Sequence, residues 1–194
     1  MLLIQKSIVL DEILLKCKNK EKTAQNKLFE KLAPRMLGIC FRYIADRSEA
    51  EHIMIGGMVK VFNKIDQYKG DSPFEAWVRR IMINECLMYL RKTKKMTLLE
   101  TSIDTYEEKI AGHWPEDSID SEVLVRLIQS LPSGYRSVFN LYAIEGYSHA
   151  EVAEMLQINV NTSKSQLSRA RSFLQKRLVA LNIQKPKNYR NEIT

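Results

Sequence analysis

Lys164, Ser165, Gln166, Ser168, Arg169 and Arg171 crowd one short stretch of this chain with no acid among them, and Asn161 and Thr162 stand just before it. Arginine, glutamine and asparagine hydrogen-bond base edges in pairs, whereas lysine, serine and threonine anchor phosphates. This is the chemistry of polyanion contact. The elements that must position these side chains are legible upstream. Ser148 and Glu151 have capping-box spacing and open a helix in which Val152, Ala153 and Leu156 form the buried row. Asn159 is placed to cap a second helix, in which Ser163, Leu167, Ala170, Leu174 and Leu178 follow steps of three and four. That stripe turns Lys164, Ser165, Gln166, Ser168, Arg169 and Arg171 away from the core. Two short capped helices around a tight turn make a helix-turn-helix, whose second helix enters a DNA major groove. The same pattern also suits a charged helix closing a bundle; two caps at this spacing, with so little acid on the second helix, weigh for DNA.

Covalent catalysis finds no comparable support. The three histidines, His52, His113 and His149, have no second metal ligand at ligand spacing, and no glycine-rich phosphate loop or nucleophile–base set occurs. No catalytic residue, metal or cofactor is therefore expected, and His149, at a capped helix start, is expected at the surface. Cys17, Cys40 and Cys86 lack CxxC pairing and sit in apolar helical settings, so they read as buried thiols in a reducing compartment. No run approaches the roughly 20 apolar residues that span a bilayer, and the start of the chain lacks a secretory core. A soluble cytoplasmic protein with no membrane contact is the expectation.

The formal charge is +7, and its distribution is uneven. Residues 162–194 hold eight cations against Glu192, and residues 79–95 hold six against Glu85. Between Thr97 and Glu122, eight acids face Lys109 alone. Two basic regions flanking an acidic strip suggest two contacts with a polyanion, joined by a tether that avoids it.

With few glycines and prolines and little period-two alternation, the chain reads as all-α: two helical domains, a helical bundle and a helix-turn-helix, on an acidic flexible linker. The first domain spans 10–93, the linker 94–118, the second domain 119–181 and a basic tail 182–194. Within the first, Asp11 to Lys31 reads as one helix, Pro34 as the start of the next, and Asp46 with Glu49 as a capping box opening a third that runs to about Ile65. After the loop Gln67 to Asp71, Ser72, Pro73 and Glu75 occupy the N-cap, first-turn proline and box-closing positions of a fourth helix. In it Phe74 and Trp77 read best as core. In the second domain, Pro132 starts the helix that leads into the helix-turn-helix.

Three blocks carry a resemblance: residues 24–38 (AQNKLFEKLAPRMLG), 68–92 (YKG, FEAWVRRIMIN and YLRK) and 131–171 (from LPSGYRSVFNLY on). They resemble the extracytoplasmic-function sigma factors of bacterial RNA polymerase, in a style similar to members from Bacteroidetes. The resemblance implies a non-enzymatic subunit that binds core polymerase, through its β′ clamp helices and β subunit, and directs promoter-specific initiation. The first domain would open the −10 region and hold a flipped single-stranded base, which by position nominates Lys69, Gly70, Asp71, Arg79, Arg80 and Asn84. The charge pair Arg79-Arg80 is equally readable as solvated surface. The second domain would read the −35 duplex with the residues from Asn161 to Arg171. In relatives the linker threads polymerase channels; a passive tether fits its composition equally.

The chain also departs from that family. Where relatives place Asp, Gln and Glu on the helix face that grips the clamp, this sequence has His52, Ile55 and Gly56, followed on that face by Val59 and Lys60. Drift across a broad interface and a specialised docking surface, served by a divergent polymerase or an accessory recruiter, both account for this. A DNA-binding regulator or decoy that no longer docks productively is the alternative reading, and an anti-sigma factor is a further partner the resemblance implies. Mid-helix, Gly56 and Gly57 each cost about 0.5–1 kcal/mol against Ala. Gln157 replaces the usual turn glycine, so a non-glycine residue is expected to take φ > 0 there, at a cost near 1 kcal/mol.

Overall fold

The computed structural model describes residues 11–93 and 121–180; the expected acidic linker and basic tail lie outside them. Among the described residues every regular element is helical. The chain divides into two compact units, Met1–Lys95 and Met96–Thr194.

In the first unit, helix α1 covers 11–18, α2 Lys22–Tyr43, α3 Arg47–Lys64 and α4 Phe74–Lys92, with a 3₁₀ turn at Ile65–Gln67. The single helix expected from Asp11 to Lys31 is broken. Lys20 takes a left-handed conformation (φ 60°), its N–H bonds the Cys17 carbonyl and that of Glu21 reaches back to Lys16. That is a Schellman closure made without glycine, so composition gave no stop signal. Pro34, expected to start a helix, lies inside α2. The buried row Ala24, Leu28, Leu32, Met36, Ile39, Cys40 and Tyr43 runs through it, and tertiary burial outweighs the one ladder bond a proline removes.

Helices α2, α3 and α4 pack on one another. Leu28, Met36, Tyr43, Met58, Val61, Val78, Met82 and Leu87 are almost wholly buried among them. Asp46 caps α3 by accepting from the Glu49 N–H at 2.9 Å. The start of α4 differs from expectation: Pro73 is the cap residue, and its carbonyl accepts from Ala76 and Trp77. Ser72 instead gives its carbonyl to the Tyr68 hydroxyl at 2.6 Å, and Glu75 pairs with Arg35 of α2 at 2.8 Å. Cys17, Cys40 and Cys86 are buried free thiols. A hydrogen bond to Cys40, then burial, raises the Cys86 thiol well above its ordinary range.

The two glycines of α3 have opposite surroundings. A Cβ on Gly57 would meet Met82 Sδ of α4 at 2.5 Å, whereas one on Gly56 would meet nothing within 4 Å. Gly57 is therefore a site of close helix approach and Gly56 is open. Gly56→Ala is expected to raise thermal stability by about 0.5–1 kcal/mol through helix propensity alone, measurable by calorimetry.

In the second unit, α5 covers Ser121–Gln129, α6 Ser133–Phe139, α7 His149–Leu156 and α8 Val160–Ala180. A π-helical segment, Asn140–Ile144, continues α6 and closes with the Glu145 N–H on the Asn140 carbonyl. Leu131, Tyr135, Ala170 and Phe173 form a core with Phe139 and Leu174 packed against it.

Candidate nucleic-acid interface

The helix-turn-helix is built as its sequence requires. Ser148 and Glu151 complete a reciprocal capping box at the start of α7, and the two form bonds of 2.7 and 2.8 Å through the Glu151 carboxylate. At the other end Gln157 takes the left-handed conformation, φ 57° and ψ 44°. Ile158 then returns its N–H to Ala153 and Gln157 to Glu154, a second closure of Schellman type. Gln157→Gly is expected to stabilise this unit by about 0.5–1 kcal/mol, since glycine carries no Cβ penalty there; chemical denaturation of the variant checks it. Asn159 Oδ1 accepts from both the Thr162 N–H at 2.7 Å and its hydroxyl at 3.0 Å, starting α8.

Along α8, Ser163, Gln166, Leu167, Ala170 and Phe173 are buried. The opposite arc, spaced by three and four, presents Asn161, Lys164, Ser165, Ser168 and Arg171, all exposed. Ser172 and Gln175 extend it and were not singled out in the sequence, although their spacing from Asn161 and Ser168 contains them. Gln166 is the correction. It is 3% exposed, because its place three residues after Ser163 and four before Ala170 puts it inside the buried arc, so it cannot reach a groove. Arg169 is half-buried on the flank, and Thr162 is half-buried and engaged in the cap.

His149 is also not the surface side chain expected. Half-buried, its ring stacks on Tyr142 with centroids 4.2 Å apart and planes 23° apart, and its Nδ1 lies 2.9 Å from Ser163 Oγ. The Arg171 guanidinium lies 5.9 Å from the centre of the Tyr142 ring. Burial, then the charges of Lys164 and Arg171, hold the His149 imidazole below the ordinary histidine range. No periodic signal marks this cluster, since the π segment that brings Tyr142 to His149 has no sequence signature.

In the first unit, Lys69, Gly70 and Asp71 form an exposed loop, with Gly70 at φ 83°. The loop is closed by the Tyr68–Ser72 bond over an aromatic trio. Tyr68, Phe74 and Trp77 lie 5.1 to 5.7 Å apart between ring centroids. Phe74 is buried, as expected, but Trp77 is half-exposed. Trp77, Arg80, Asn84 and Met88 follow one another at steps of three and four on one face of α4. Arg79 is exposed but lies off that row. An aromatic edge beside a cation and an amide is suited to an unpaired base.

The α3 face carries His52, Ile55, Gly56 and Val59 at the surface, with Ile55 51% and Val59 53% exposed. Lys60 turns to α4 and pairs with Glu85 at 2.6 Å.

Together these features define a two-unit helical protein whose second unit is a DNA-reading helix-turn-helix. Comparison with known proteins gives the family. Residues 28–96 match the model for sigma-70 region 2, and residues 121–174 match that for sigma-70 region 4. The chain is 31% identical over 151 residues to the ECF RNA polymerase sigma factor SigW of Bacillus subtilis, covering 72% of this chain and 81% of that one. It is 25% identical over 174 residues to the ECF RNA polymerase sigma-E factor of Haemophilus influenzae, covering 83% and 90%. Its fold is similar to that of the sigma factor RpoE of Bartonella quintana, solved in complex with the anti-sigma factor NepR. There the TM-score is 0.53 at 22% identity, over 79% of this chain and 96% of the other. The chain belongs to the extracytoplasmic-function sigma factors.

Proposed function

We infer that this chain is the promoter-specificity subunit of a bacterial RNA polymerase: it binds the core enzyme, recognises a −35 duplex with α8 and opens the −10 region with its first unit. The observation that carries this reading is the acid-free exposed arc Asn161, Lys164, Ser165, Ser168 and Arg171, presented by a doubly capped helix pair. Domain spans of 10–93 and 119–181, with the 94–118 tether and the 182–194 tail, follow from this division of labour. Lys69, Gly70, Asp71, Arg80 and Asn84, with Arg79 to one side, are the groups proposed to hold the melted strand beside Trp77. The subunit is non-enzymatic and cytoplasmic; among the described residues no helix is long and apolar enough to cross a membrane. An anti-sigma factor or an accessory recruiter is the further partner this reading admits. Permanganate footprinting of the holoenzyme on a bound promoter tests the melting role. Reactive thymines upstream of the start, lost in Arg80→Ala with Asn84→Ala, are expected; binding without reactive thymines contradicts it.

The docking face supports an apolar contact. His52, Ile55, Gly56 and Val59 present no carboxylate, and burying a side chain of Ile size is worth about 1.5–3 kcal/mol. Ile55→Gln combined with Gly56→Glu is therefore expected to weaken binding to the host's own core polymerase about tenfold. An affinity gain in the same titration would mean that drift, not specialisation, shaped this face.

A further inference from the structure

His149 occupies the first position of α7, and its ring joins three elements. Tyr142 of the π segment stacks on it at 4.2 Å. Its Nδ1 meets the hydroxyl of Ser163, which is fully buried in the first turn of α8. Tyr142 in turn lies under Arg171, two turns along α8. The side chains that set α8 against α7 thus end at two cations of the exposed arc, Lys164 next to Ser163 and Arg171 over Tyr142.

We propose that His149 is a positioning residue for the DNA-reading helix and that it takes up a proton when duplex DNA docks, so that DNA binding tightens as pH falls through the histidine range. This rests on α8 being the helix that meets DNA.

In the free protein the surroundings oppose an imidazolium. Burial and the charges of Lys164 and Arg171 all act in that direction, and the N-terminus of α7 adds its positive partial charge. The other titratable and charged groups on the packed elements are the Tyr142 phenol, Glu145 at the end of the π segment, Glu151, which is engaged by the Ser148 cap, Glu154 farther along α7, and Arg169, Lys176 and Arg177 along α8. Phosphates drawn to Lys164 and Arg171 reverse the local potential. The contacts survive the change of state. A hydroxyl can donate to a neutral Nδ1 or accept from a protonated one, so the Ser163 bond holds in both states. The Tyr142 stack becomes a cation–π contact.

The two linkages have opposite signs. In the free protein a depressed histidine means that the fold disfavours the proton. Its contribution to stability is complete above about pH 6.5 and declines as pH falls through that value. In the complex the proton is favoured, so affinity rises over the same interval. A side chain that only packs moves neither quantity with pH.

The test is fluorescence anisotropy of the full chain on a labelled mixed-sequence duplex at low salt, between about pH 8 and pH 5.5. The wild type is expected to bind about five- to tenfold tighter at the acid end, the effect of a one-unit rise in the bound-state pKa. His149→Phe keeps the stack but loses the bond to Ser163; at pH 8 it is expected to bind about fivefold more weakly, because a less firmly held α8 must be ordered on binding, with the pH dependence flattened. His149→Gln keeps an amide that can bond Ser163; it is expected to match the wild type at pH 8 and to be equally flat. Imidazole NMR of the wild type, with and without duplex, reads the proton directly and needs no variant. An upward shift of the His149 titration supports the proposal. An unmoved titration, or one pH slope shared by the wild type and both variants, overturns it. Absence of duplex binding at every pH overturns the α8 reading and this inference together; binding without a pH slope overturns the inference alone.

Discussion

Alanine at both Lys164 and Arg171 is expected to lower promoter-dependent transcription about a hundredfold while leaving the fold and the binding of core polymerase intact. On the proposed reading each supplies a contact to base or phosphate worth about 1–3 kcal/mol, and the two sit about two turns apart on α8, so their losses should add. Both side chains are exposed on the arc opposite the buried stripe, so neither substitution opens a cavity. Run-off transcription gives the activity and calorimetry the stability. The salt dependence of promoter binding separates roles, since each phosphate contact removed lowers the logarithmic salt slope by about one. A shallower slope with unchanged sequence preference makes that residue a phosphate anchor. An unchanged slope with relaxed preference makes it a base reader. Retention of full activity by the double variant would mean that α8 does not meet DNA through this arc.

Gly57→Leu is expected to destabilise the first unit by about 2–3 kcal/mol, the range for overpacking a filled core, and to lower its melting temperature by about 10–20 °C. Even a Cβ at this position falls 2.5 Å from Met82 Sδ, and Met82 is itself fully buried. The penalty therefore comes from displacing the buried end of Met82 and overfilling the seam between α3 and α4, not from helix propensity, which leucine improves. Met82→Ala should restore part of the loss by vacating the space, giving a large favourable coupling in a double-mutant cycle. Strict additivity would show that the two helices do not meet at this point. Because the same helix carries Ile55 and Val59, Gly57→Leu should also impair polymerase docking, whereas Gly56→Ala should leave stability improved.

The helix-turn-helix was the most legible part of the chain. Its start and stop depend on short-range chemistry that sequence states outright: the Ser148–Glu151 box, the Asn159 cap and the positive φ of Gln157 all appear where spacing put them. Legibility failed where a local rule met a tertiary demand. Pro34 looked like a helix start but is carried inside α2 by the buried row on either side of it. The break at Lys20 was hidden because the left-handed residue there is not glycine. Ser72 and Glu75 have the spacing of a cap, yet the helix starts one residue later with Pro73 as the cap residue, and the Glu75 carboxylate pairs with Arg35 of α2. A stripe drawn through Ser163, Leu167, Ala170, Leu174 and Leu178 sets Gln166 on the outward face, but the buried arc of α8 is broader than that stripe and takes in Gln166 and Phe173 as well. Tyr142 meets His149 from within a π segment, a departure from α register that apolar periodicity does not record.

The most direct test of the account is run-off transcription with core polymerase from the host, the full chain and fragmented genomic DNA. Discrete transcripts that require the chain and begin downstream of a shared two-part motif are the predicted result. Core polymerase that neither binds the chain nor gains promoter-specific starts from it would contradict the account.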